Sequence, residues 1–135
     1  MRIVLDTNVL ISGIFFAGHP YEILDAWRQG RLDIATSPEI LEEYSRVVLE
    51  LSAEFPEIDP HPILTLIMIE SRLTAAAPLP RQVCDDPADD KFLACAIASG
   101  ARIIVSGDKA LRRASGYQGI SVLSPRDFVT RHLRK

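Results

Sequence analysis

Carboxylates are the side chains whose placement along this chain could do chemistry. Asp6 follows the apolar run Arg2-Ile3-Val4-Leu5. Glu43 lies in Ser37-Pro38-Glu39-Ile40-Leu41-Glu42-Glu43-Tyr44. Four acids crowd Cys84-Asp85-Asp86-Pro87-Ala88-Asp89-Asp90-Lys91, and Asp108 comes just after Ile103-Ile104-Val105. Acids gathered in one place repel one another and raise each other's pKa, so such a set persists when a cation neutralises it. Oxygen donors without His or Cys favour Mg²⁺ or Mn²⁺ over zinc. A hard metal that keeps its waters suits phosphodiester hydrolysis, because it acidifies a bound water, polarises the phosphoryl oxygen and offsets charge on the leaving oxygen. One metal or two would be consistent with the pattern. Each acid alone also has a plainer use: Asp6 can cap the next helix, and acids at a helix start complement its dipole. Four acids before one helix exceed what capping needs.

No other catalytic set competes. The chain has no P-loop, no G-x-G-x-x-G after the first strand and no G-x-S-x-G elbow. His19, His61 and His132 are scattered, the first two beside prolines or in loops. Cys84 and Cys95 lack zinc spacing and read as two small buried hydrophobes.

The elements that must position these acids follow from periodicity. Arg2 to Leu5 reads as a short buried strand whose carboxyl end presents Asp6, where open α/β sheets place their crevice. Thr7 and Asn8 can hydrogen-bond a carboxylate or cap a helix starting near Val9. Gly13 to Pro20 reads as a brief helical turn and loop, and Pro20 opens a helix with Ile23, Leu24 and Trp27 on one stripe, ending at Gly30. Leu32 to Thr36 alternates as a second strand. Ser37 and Pro38 start a helix running to about Ala53, with the stripe Ile40, Leu41, Tyr44, Val47, Val48 and Leu51. At roughly 100° per residue, Glu42 points away from that stripe and Glu43 lies at its border, so Glu43 is the candidate.

Phe55 to Pro62 reads as a connection, Ile63 to Leu73 as a buried helix, and Ala75 to Val83 as an extended edge strand or loop. A helix from about Asp89 to Ser99 carries Phe92, Leu93, Ala96 and Ile97 and stops at Gly100. On its wheel Asp89, not Asp90, lies above the Phe92-Leu93 stripe, although wheel positions mean little at a cap. Ala101 to Val105 is a third strand, Lys109 to Arg113 a short helix, Ile120 to Leu123 a fourth strand, and Ser124-Pro125 opens the last helix. This alternation predicts an α/β fold with a mainly parallel sheet covered on both faces. Right-handed crossovers then bring Asp6 and Asp108 to the same edge.

With 135 residues, 47% of them hydrophobic, one domain over residues 1–135 is expected. No run is long and apolar enough to span a membrane, and Met1 leads directly into the first strand, so a cytoplasmic chain is expected. A net charge of −3 does not advertise a nucleic-acid binder. Two basic runs, Lys109, Arg112, Arg113 and Arg126, Arg131, His132, Arg134, Lys135, could still form local basic surfaces; each also fits an ordinary solvated face.

Four segments, in order and spanning nearly the whole chain, carry a resemblance: Leu5-Asp6-Thr7-Asn8-Val9-Leu10, Ser37 to Tyr44, Asp86-Pro87-Ala88-Asp89-Asp90-Lys91-Phe92-Leu93-Ala94, and Val105-Ser106-Gly107-Asp108-Lys109. Through them the chain resembles a PIN domain, specifically the PIN-type (VapC-like) toxins of bacterial and archaeal toxin–antitoxin pairs. The resemblance implies a three-layer α/β/α fold and a Mg²⁺- or Mn²⁺-dependent ribonuclease acting on RNA, single-stranded for preference. Carried over by position, Asp6, Glu43 and Asp90 would bind or arrange the metal, with Asp108 a fourth ligand directly or through water. Asn8 and Ser106 would orient acids and water; Ser106 stands where many relatives have Thr and keeps the hydroxyl. Asp89 is the reserve for Asp90. An antitoxin partner and a homodimer are also implied. A catalytically silent PIN-like module that binds RNA or protein would be expected to have lost an acid, and all four are present. A phosphatase of small substrates usually carries a paired D-x-D, and position 8 is Asn.

Overall fold

Ile3, Val4 and Leu5 are wholly shielded from solvent, and the strand they form, β1 (Arg2–Leu5), is the middle of the sheet. In the computed structural model, which describes residues 1–134, β1 is followed by α1 (Thr7–Phe15), α2 (His19–Arg28), β2 (Asp33–Thr36), α3 (Pro38–Ser52) and α4 (His61–Glu70). Then come β3 (Arg72–Leu73), a 3-10 turn (Pro87–Asp89), α5 (Asp90–Ser99), β4 (Ile103–Val105) and α6 (Lys109–Arg112). A second 3-10 turn (Tyr117–Gly119), β5 (Ser121–Leu123), α7 (Pro125–Phe128) and a π turn (Val129–Leu133) complete the chain.

The five strands are all parallel, in the order β3-β2-β1-β4-β5. Ile3 is paired with Ile34 on one side and Ile103 on the other, and Leu5 with Val105. Parallel strands buried on both faces explain their unbroken apolar runs. α5 packs across β1, β2 and β4, burying Phe92, Leu93, Cys95 and Ala96. α3 is held by its sequence at both levels. Ser37 Oγ accepts from the Ile40 amide at its start, and Ile40, Tyr44 and Val48, four residues apart, are buried. The chain runs outward from β1 to β2 and β3, then returns to the other side of β1 for β4 and β5. The strand order therefore reverses between β1 and β4, and in open α/β sheets the crevice opens at the carboxyl ends of the strands at such a point.

Two elements differ from the sequence reading. The helix expected over Ile63 to Leu73 ends at Glu70: Ser71 is extended, its hydroxyl shares a hydrogen bond with Thr36 Oγ at 2.9 Å, and Arg72–Leu73 pairs with Ala35 and Thr36 as a fifth strand. The loop expected from Gly13 is instead the end of α1, which runs unbroken to Phe15. Gly13 serves packing there. A Cβ added to it would sit 2.6 Å from Leu24 Cδ1 and 2.9 Å from the Pro20 carbonyl oxygen. Gly13→Ala gains about 1 kcal/mol of helix propensity, but overpacking against a backbone atom costs about 1–3 kcal/mol. The net expected result is a lower urea midpoint; an unchanged or raised midpoint would show that α1 and α2 have room to part.

Part of the expected basic surface is already paired. Arg113 meets Asp85, Arg131 meets Asp127 and Arg134 meets Glu22. Lys135 lies outside the described residues. Among the described residues no helix is long and apolar enough to cross a membrane.

Candidate active site

Asp6 sits at the reversal of strand order, 6% exposed, one residue past β1. Its amide donates to Val105 O of β4 at 3.0 Å, so its backbone continues the ladder. Its carboxylate accepts from the Asn8 amide at 3.1 Å, capping α1, and from Ser106 Oγ at 2.6 Å. Ser106, one residue past β4 and fully buried, also accepts from the Asp108 amide at 3.0 Å. One hydroxyl, 100 positions from Asp6, thus ties that carboxylate to the backbone of Asp108. Asp108 in turn caps α6 by accepting from the Ala110 amide at 2.9 Å.

Glu43 reaches this edge from α3. Thr7 Oγ1 donates to its Oε2, and Lys91 Nζ stands 2.8 Å from its Oε1, with both side chains about one-fifth exposed (19% and 20%). Glu42, its neighbour, faces solvent and pairs with Arg46. Tyr44, the next residue, is buried and donates to Leu5 O, fixing α3 to the strand end just before Asp6.

Charge links five acids. Burial raises the Asp6 carboxyl above its ordinary range, opposed by Ser106 and Asn8 and reinforced by Asp108 and Glu43. Burial, then Asp6, Asp86 and Asp108, push Asp89 up to about 6, with Lys91 pulling the other way. Asp6, Glu43, Asp86, Asp89 and Asp108 therefore share one electrostatic field, although Asp86 spends one carboxylate oxygen capping the Pro87–Asp89 turn through the Ala88 amide. Asp90, expected from the family register, is engaged with the backbone of the incoming chain. Its Oδ1 accepts from the Cys84 amide at 2.8 Å and its Oδ2 from the Val83 amide at 3.1 Å. The reason is local: the Pro87–Asp89 turn delivers Asp89 ahead of α5, and Asp90, first in the helix, folds back on the incoming chain. Asn8 contributes its backbone amide to Asp6 and lines a separate groove with Val47 and Glu50.

Thr7, named above only as a possible carboxylate partner, and Lys91, which the sequence reading gave no role, are the additions. Their signal is spatial: Thr7 meets Glu43 across 36 positions and Lys91 across 48. Neither cysteine competes as a nucleophile, since burial first, then carboxylates (Asp90 first for Cys84, Glu39 for Cys95), pushes both thiols up to about 12.

The donors fit a hard divalent cation by type and by charge: all are carboxylate oxygens, and two are held above their ordinary range partly by like charge. Among the described residues no three His, Cys, Asp or Glu side chains already close on one point, and Glu43 is turned to Thr7 and Lys91.

The family model for the PIN domain matches residues 2–110. No curated protein matches the chain in sequence. Among solved structures, the crystal structure of PAE2754 from Pyrobaculum aerophilum is similar, with a TM-score of 0.62 at 15% identity, over 99% of this chain and 90% of that one. At that identity the likeness speaks for the fold alone.

Proposed function

The chain belongs to the PIN domain family, and on that premise we propose that residues 1–135 form a single metal-dependent endoribonuclease domain acting on single-stranded RNA. PIN domains are typically nucleases that use a divalent metal. The observation that carries the reading is the Ser106 hydroxyl, which ties the Asp6 carboxylate to the Asp108 backbone at the point where the sheet reverses its order, with the charges of Asp6 and Asp108 also reaching Asp89 and that of Glu43 reaching Asp6.

These four acids would hold Mg²⁺ or Mn²⁺, with Asp89 in the place that the family register gave to Asp90. When bound, the metal would supply an acidified water and a polarised phosphoryl oxygen. The chain's own groups set the geometry. Ser106 and the Asn8 amide fix the Asp6 carboxylate, one hydrogen bond to each oxygen, and leave further acceptor capacity on both. Thr7 steadies Glu43 from one side, and Lys91 neutralises it from the other. Tyr44 anchors the strand end from below.

The test is cleavage of a mixed RNA pool. Hydrolysis is expected with Mg²⁺ or Mn²⁺ and none in excess chelator. Cleavage that survives chelation would remove the metal reading, and RNA binding without cleavage under any divalent metal would favour a silent binding module. The finer assignment, a toxin held by an antitoxin and self-associating as a dimer, draws support from the four segments shared with PIN-type toxins. It also draws support from Met68, Ile69 and Leu73, close in the chain and 60%, 70% and 57% exposed, as a protein-binding surface would be. Growth arrest on expression, relieved by co-expressing a small protein encoded beside it, is the outcome this assignment predicts, and expression without arrest would remove it.

A further inference from the structure

Beside Glu43 the surface opens into a cleft of about 380 Å³ between the first turns of α3 and α5 and the segment 76–82. Its lining includes Glu39, Pro78, Leu79, Arg81, Lys91 and Ala94. The walls are mostly apolar, and four charged groups, Glu39, Arg81, Asp90 and Lys91, mark a few polar points, the composition of a small-ligand site. Its volume lies near the lower end of the roughly 300–1,000 Å³ range of such sites, enough for one nucleoside and too little for several.

The cleft is also held in shape. A segment carrying Pro78 and Pro80, with no regular structure, would otherwise be a loose flap. Asp90 prevents this by taking the Val83 and Cys84 amides, which ties the wall to α5. Gln82 adds bonds to the carbonyls of Cys84 at 2.8 Å and Asp85 at 3.2 Å. Lys91 joins the cleft to the acids, since it both lines the cleft and stands on Glu43. Arg81 has no ion pair among the described residues and is exposed at the rim.

We propose that this cleft is a nucleobase subsite, taking the base of a nucleotide that flanks the scissile phosphate. Pro78 and Leu79 lie against the faces of the base, and Glu39 and Arg81 meet its polar edge, the part by which bases differ. Lys91 receives the phosphate between the base and the acids. The identity of the ligand rests on the nuclease reading; the presence of a site does not.

The experiment uses the wild-type chain, isotopically labelled and kept in excess chelator so that nothing is cleaved. AMP, GMP, CMP and UMP are titrated separately and followed by NMR. The expected result is shifts concentrated at Leu79, Lys91 and Ala94, unequal among the four nucleotides. Leu79→Trp, which fills the cleft, is expected to weaken the preferred nucleotide by roughly tenfold, the scale of one lost base contact. Cleft shifts from a protein that cleaves no RNA under any metal would keep the subsite and remove the nuclease reading. RNA cleavage in Mg²⁺ with no cleft shifts, or with shifts confined to Asp6 and Asp108, would overturn the subsite and keep the nuclease reading.

Discussion

Asp6→Asn is expected to cut metal-dependent RNA cleavage by at least about a hundredfold while the metal-free protein melts no lower than wild type. Removing groups that merely orient metal ligands costs about 10- to 100-fold, and Asp6 is proposed to meet the metal itself. The fold is spared because Asn is nearly isosteric. Its carbonyl can keep the Asn8 amide and its NH₂ can donate to Ser106 Oγ, whose second lone pair still serves the Asp108 amide. The sign of the stability effect follows from burial, which holds the Asp6 carboxyl above 3.8 in the folded chain. A folded state that binds the proton more tightly than the unfolded one is most favoured below 3.8. It loses that advantage as pH rises through the raised folded value. At neutral pH the wild type has already lost it, and Asn has none to lose. Adding Mg²⁺ should then raise the melting temperature of the wild type much more than that of the variant. Cleavage retained within tenfold would take Asp6 out of the chemistry.

The residues that carry the sheet were legible because a buried parallel strand has only one way to look: Ile3-Val4-Leu5 and Ile103-Ile104-Val105 are apolar without a break. β3 was not, because a strand of two exposed residues, Arg72 and Leu73, is too short to show a period of its own so soon after α4. Its existence depends on two pairings with β2 and on the Ser71–Thr36 hydroxyl bond, which are long-range facts. Gly13 misled for a related reason. Glycine signals a break when its backbone is the point, but here the missing Cβ is the point, and only the path of α2 shows it. At the site, strand ends and the border position of Glu43 on its helix were enough to nominate Asp6, Asp108 and Glu43. Lys91 could not be nominated, since a lysine in the first turn of a helix is most often a solvated charge.

The sharpest separation is expected between two adjacent residues that sequence alone treats almost alike. Asp89→Asn should lower Mg²⁺ affinity by more than tenfold and suppress cleavage with the fold intact, because it removes a carboxyl already raised to about 6 by burial and by Asp6, Asp86 and Asp108. Below about pH 6 a proton competes with the metal for Asp89, so wild-type Mg²⁺ affinity should fall by about tenfold per pH unit there and level off above it. The variant should lack that step. Asp90→Ala should do the reverse. It strips the acceptor from the Val83 and Cys84 amides, and an unpartnered amide in a buried stretch costs about 1–3 kcal/mol. Its melting temperature should fall while its Mg²⁺ affinity stays within a few-fold of wild type. Calorimetric titration and thermal melts of the two variants read both quantities. A loss of metal binding confined to Asp90→Ala, with Asp89→Asn unaffected, would return the third acid to position 90 and require α5 to turn that side chain toward Asp6 on binding the metal.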